Sequence, residues 1–174
     1  MKHVFVATDG SDPAGKATEM AAEMAAKFDV PLTVGHALQY GRPSAELARM
    51  AEIEHLAKRA SEKSNVDFQV LTGHSGDLLV NTRPSGDAVS AVNAIGDEIV
   101  HRAESRAKEL GARDVRTVTE TGDPADAIID MAAAAGADVI VVGHRGLGRV
   151  KSLLLGSVAQ KVVQHADCTV ISVR

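Results

Sequence analysis

Residues Val139-Ile140-Val141-Val142-Gly143-His144-Arg145-Gly146-Leu147-Gly148, with Gly156-Ser157 following after a short passage that ends in three leucines, form the most informative stretch of the chain. Four consecutive β-branched apolar residues read as a strand buried on both faces, and they run directly into glycines. Glycine permits positive φ and lets a ligand come close to the main chain. A segment opening at Gly156-Ser157 can present helix N-terminal N–H groups to an anion. A nucleotide phosphate fits that combination.

The spacing narrows the type of cradle. Two residues separate Gly143 from Gly146, and nine separate Gly146 from Gly156-Ser157. A P-loop needs Lys-Ser/Thr directly after its last glycine, and a dinucleotide fingerprint needs G-x-G-x-x-G opening a helix early in a βαβ unit. Neither is present. The Gly-x2-Gly-x9-Gly-Ser pattern, placed after a hydrophobic strand and before a final helix and strand, resembles the nucleotide-binding motif of the ATP-binding branch of the universal stress protein family.

Length and composition fit a single domain over residues 1–174, with a sizeable core. The chain is 45% hydrophobic and only 2% aromatic, so Ala, Val, Ile, Leu and Met must fill that core. The formal charge of −4 leaves no electrostatic footprint for nucleic acid or anionic lipid. Cys168 is the only cysteine, which excludes an intrachain disulfide and fits a reducing cytoplasm. The N-terminus reads as a first strand rather than a signal peptide, and no apolar run approaches the ~18 residues of a membrane span.

Val4-Phe5-Val6-Ala7 is a short buried-strand pattern ending in Thr8-Asp9-Gly10-Ser11. Asp12 followed by Pro13 reads as an N-cap with proline at the first helical position. Ala17, Met20, Ala21, Met24 and Phe28 then recur at spacings of three and four, predicting a helix over about 13–28. A second strand follows at Leu32–Ala37. Val92, Ile95, Ile99, Ala103, Ala107 and Leu110 mark one face of a helix that starts near Asp87 and stops at Gly111. A strand over 114–120, a helix capped at Asp123-Pro124 and ended by Gly136, the strand over 138–142, a last helix lined by Val158, Val162 and Val163, and a closing strand at Thr169–Val173 complete the alternation. Residues 40–86 interrupt it as an enlarged insertion, with helical composition over 46–63 and a β-hairpin pattern around 68–80.

Strands alternating with helices predict an α/β domain: a five-stranded parallel sheet with right-handed crossovers and helices on both faces. The resemblance implies the strand order 3-2-1-4-5 of a Rossmann-like, adenine nucleotide α-hydrolase-like fold. Ligands bind such sheets beyond the C-terminal strand ends, where the order reverses. That places the crevice between the strands ending at Asp9 and Gly143.

The phosphate reading gives the backbone N–H groups of Gly143, Gly146, Gly156, Ser157 and Val158 to phosphate oxygens, with the Ser157 hydroxyl donating one more bond. On the alternative reading these glycines mark turns, and Ser157 simply caps a helix. Asp9 either closes an Asx-type turn or, as the resemblance implies for Ala7, Thr8 and Asp9, lines the site and meets ribose or a water-mediated Mg²⁺. The family places an adenine-binding backbone segment where His36 and Ala37 end the second strand. His144 and Arg145 lie inside the glycine loop, either facing solvent or, for Arg145, lending charge to phosphate. The family often has a hydroxyl residue where this chain has Ala159.

The remaining histidines, His3, His55, His74, His101 and His165, show no metal-ligand spacing, and Ser157 has no nucleophile-elbow context. No dedicated metal cage, general base or nucleophile is legible. The resemblance implies a cytoplasmic ATP-binding (or AMP-binding) universal stress protein, with Mg²⁺. It would act as a nucleotide-responsive regulator or stress-tolerance factor on an unnamed regulated protein, by occupancy, with at most slow hydrolysis or autophosphorylation. The alternatives are an adenylating enzyme on a related scaffold and a nucleotide-free dimeric interaction module. A homodimer through the edge strand 169–173 is implied as well. Bulky residues at Gly143 and Gly156 are expected to abolish ATP binding and leave the fold intact.

Overall fold

The computed structural model of the protein describes residues 1–39, 86–146 and 155–174. The insertion with its expected helix and hairpin, His55, His74 and Gly148 lie outside the described residues. Nine elements alternate in type for most of the described chain: β1 (Val4–Ala7), α1 (Asp12–Phe28), β2 (Leu32–Leu38), α2 (Gly86–Glu109), β3 (Val115–Thr121), α3 (Pro124–Ala134), β4 (Val139–Gly143), α4 (Ser157–His165) and β5 (Thr169–Val173). The five strands are all parallel, in the order β3-β2-β1-β4-β5.

Period-two alternation along β1 divides the core. Val4 and Val6 point into one layer with α1, α2 and the β4 residues Val139 and Val141. Phe5 and Ala7 point into the other with α3, α4, Ile140 and Val142. Both faces of the central strands are therefore covered, which is why β1 reads as a continuous apolar run.

Alanines set the packing distance. The buried face of α1 is Ala14, Ala17, Thr18, Ala21, Ala22 and Ala25. Met20 and Phe28, expected on that face, are 40% and 58% exposed. A helix seated this close to the sheet has room only for small side chains along its contact stripe, so the larger residues stand outside it. On α4, Val162 is fully buried and Val163 is exposed, because successive helical residues point about 100° apart and only one of the two faces the sheet. The α2 face, in contrast, is as expected, with Ile95, Ile99, Ala103 and Ala107 buried.

Helix ends follow local chemistry. The α1 N-cap is Ser11 and not Asp12, because the Ser11 hydroxyl accepts from the Ala14 N–H at 3.4 Å while Asp12 is already helical. Asp123 caps α3 as expected, accepting from the Ala125 N–H at 3.1 Å. Gly136 ends the chain's turn out of α3 with φ +67°, a conformation that favours glycine.

Candidate nucleotide-binding rim

The parallel register levels the ends of three strands. Ala7 of β1 stands opposite Gly35 of β2 on one side and Val142 of β4 on the other. Thr8, His36 and Gly143 consequently stand level along one rim, at the reversal of strand order between β1 and β4, although β2 continues beside β3 to Leu38.

The turn after β1 is tied internally. The Thr8 N–H donates to Gly35 O at 2.9 Å, and the Gly10 N–H reaches Thr8 Oγ1 at 3.3 Å. Asp9 Oδ1 accepts from the Ser11 N–H at 3.0 Å and from the Ser11 hydroxyl at 2.5 Å. The Asx-type bond is thus real, and it leaves Oδ2 turned toward Gly146, where a Cβ would collide with it. Gly10, at φ +78°, makes the bend possible.

The glycines of the loop work by absence of bulk. Gly143, Gly146 and Gly156 have no positive φ, unlike Gly10 and Gly136. A Cβ on Gly143 would lie 2.8 Å from the Pro13 carbonyl carbon and 2.9 Å from the Ala14 nitrogen, both α1 backbone atoms. Substitution there disturbs the seating of α1 on β4, so the expectation of a fold-neutral Gly143 variant is corrected. A Cβ on Gly156 would press on His144 O and Arg145 Cα, each at 3.3 Å.

Two of the loop's N–H groups are already committed. The His144 N–H donates to Val173 O at 2.7 Å, with the ring Nδ1 also on that oxygen at 3.1 Å. The Gly156 N–H donates to His144 O at 2.7 Å, joining the two ends of the glycine loop at its base. Gly156 is the α4 N-cap, with no side-chain cap bond and no acidic residue in the first turn. The Ser157 and Val158 N–H groups open that helix, where an α-helix has no internal acceptor for them. Ser157 is exposed and is the first helical residue, so it does not cap α4.

The remaining expected residues fall nearby. Ala7 and Thr8 are buried under the rim, Ala37 and Arg145 are half-buried, and Gly146 is exposed. His36 is buried, and its ring Nδ1 bonds Thr8 O at 2.7 Å, a side-chain contact that alternation along the strand did not reveal. A cavity of about 450 Å³ between α1 and α2 is lined by Thr8, Gly10, Ser11, Lys16 and Arg102 among others. Among the described residues, none of Gly143, His144, Arg145, Gly146 and Gly156 lines it.

Elsewhere, His3 is a packing residue, bonded through Nε2 to Thr33 Oγ1 at 2.9 Å. Among the described residues no cluster of His, Cys, Asp and Glu suits a metal ion, and no helix is long and apolar enough to cross a membrane. Cys168 is half-buried and burial pushes its thiol up, which keeps it protonated and unreactive.

The model of the universal stress protein family matches residues 1–174. The Mycobacterium tuberculosis (strain H37Rv) universal stress protein Rv1636 is 34% identical over 172 residues, covering 99% of this chain and 95% of its own. Among solved structures, a universal stress protein in complex with cAMP superposes with a TM-score of 0.60 at 24% identity, covering 99% of this chain and 96% of that one. The Archaeoglobus fulgidus universal stress protein in complex with dAMP gives 0.59 at 23%, covering 100% and 98%. At these identities the structural likeness establishes the fold.

Proposed function

The chain belongs to the universal stress protein family, and from that premise we propose that it binds an adenine nucleotide where β1, β2 and β4 end and α4 begins. One observation carries this: α4 starts at a glycine with no side-chain cap and no acidic residue in its first turn, beside the Asp9–Gly146 contact. Such a helix end offers an anion two N–H donors and the positive end of the helix dipole. Two solved relatives in complex with cAMP and dAMP support adenine as the base.

The phosphates lie against Gly146, Ser157 and Val158, with Gly143 and Gly156 keeping the floor bare. Arg145 adds charge. The N–H groups of His144 and Gly156, committed within the protein, shape the loop and do not donate to the ligand. Asp9 Oδ2 meets the ribose hydroxyls, or a water of a Mg²⁺ that accompanies ATP. The backbone of His36 and Ala37 reads the adenine edge.

The protein acts by occupancy, as a cytoplasmic nucleotide-responsive regulator or stress-tolerance factor. It forms a homodimer through β5. The two sheet edges differ in a way that supports this: β3 carries Arg116, Thr117, Thr119 and Glu120, whereas β5 carries Val170, Ile171 and Val173. Charged edges resist pairing and apolar ones invite it.

The test is the nucleotide content of gently purified protein, followed by calorimetric titration with ATP, AMP and cAMP, with and without Mg²⁺. Bound adenine nucleotide with one site per chain is expected. Protein that arrives without nucleotide and gives no heat with any of the three is a nucleotide-free interaction module.

A further inference from the structure

We propose that the His36 imidazole is a positioning residue for the nucleotide site: by bonding the Thr8 carbonyl it sets where Asp9 stands against Gly146. This role, which rests on the adenine-nucleotide reading above, follows from the contacts around the last residues of β1.

The Thr8 carbonyl accepts the ring Nδ1 at 2.7 Å. A carbonyl can only accept, so Nδ1 carries the proton. Thr8 is then held from both of its backbone polar groups by neighbouring residues of β2, its N–H on Gly35 O and its C=O on the His36 ring. The peptide plane between Thr8 and Asp9 is fixed by that second bond, because the carbonyl oxygen lies in it. From there the carboxylate is placed by its own bonds to Ser11, with Oδ2 facing Gly146.

The ring is itself held in place. His36 is only 5% exposed. On the α2 side, Gly96 leaves it room: a Cβ there would come within 3.3 Å of the ring Cδ2 and 2.5 Å of a Leu38 methyl. Glycine at this helical position lets α2 lie against the imidazole. The side chain thus links α2 to the binding turn without touching the ligand, a task distinct from adenine contact by the His36 backbone.

The experiment compares the full chain carrying His36→Asn, His36→Gln or His36→Leu, titrated calorimetrically with AMP and ATP after a thermal melt confirms folding. Asn carries an amide N–H₂ at about the Nδ1 position, Gln carries it farther out, and Leu carries no donor. Affinity is expected to fall roughly tenfold or more for Leu and Gln, and Asn is expected to recover most of that loss. If Leu does not fold, the Asn–Gln pair decides. Equal affinity for Asn and Gln, or for Leu and wild type, overturns the positioning role and leaves the nucleotide site standing. Wild-type protein that binds neither nucleotide overturns the site, and the positioning role with it.

Discussion

The Asp9 carboxylate stands where a side chain at position 146 would begin, so the end of β1 and the glycine loop after β4 meet through one oxygen and one missing Cβ. Gly146 is exposed and has no positive φ, and a larger residue there costs the fold little. Gly146→Val is therefore expected to push Asp9 out of place and weaken ATP binding by roughly a hundredfold, with the melting temperature near that of the wild type. Calorimetry paired with a thermal melt checks both halves.

Gly143 behaves differently. Its missing Cβ makes room for the backbone of Pro13 and Ala14, and α1 cannot yield there as the tip of a flexible side chain would. Gly143→Val is expected to destabilise the protein by about 1–3 kcal/mol, as overpacking of a tight contact does. Urea unfolding of the two glycine variants side by side should separate a binding defect from a folding defect.

Asp138 gives the stability a defined pH dependence. Its carboxylate accepts from the His3 N–H at 3.2 Å and from the Lys2 N–H at 2.8 Å, and these bonds hold its pKa below the usual 3.8. A depressed carboxylate contributes stability that is complete above its unfolded value and is lost as pH falls through the lower folded one. Asp138→Ala should thus melt earlier than wild type at pH 7, with the gap closing below about pH 3.8. Thermal melts across pH 2–7 test the convergence.

Along β5 the ladder alternates. The Thr169 N–H donates to Asp138 O and Val173 O accepts from the His144 N–H, so the odd residues bond β4. Val170 and Ser172 consequently turn their backbone groups to the free edge. Ser172→Pro removes an outward N–H and spares the β4 ladder. Light scattering is expected to show a dimer for the wild type and a monomer for this variant; a wild-type monomer at all concentrations rejects the β5 interface.

Most element bounds were legible because β-branched runs and Pro or Gly punctuation are local signals, whereas the strand order was implied by the family resemblance alone. The missed positions depend on contacts distant in sequence or on side-chain detail. Asp12-Pro13 matches a capping pattern as well as Ser11 does, and only the bond from the Ala14 N–H to the Ser11 hydroxyl distinguishes them. Met20 and Phe28 carry the right spacing, yet how closely α1 seats on the sheet excludes them. The commitment of the His144 and Gly156 N–H groups depends on β5 lying beside β4 and on the loop closing on itself. The His36–Thr8 bond needs β2 against β1, which a strand pattern alone cannot register.

Phe5 is the only aromatic among the buried core residues described, and the full sequence has no tryptophan and one tyrosine. A core of alanine and branched aliphatics is almost transparent in the near ultraviolet. Any adenine that the protein carries would dominate its absorption spectrum near 260 nm, a band that belongs to the base and not to this chain. The packing that lets the helices lie close to the sheet thus makes the folded protein an optically quiet background for its own ligand.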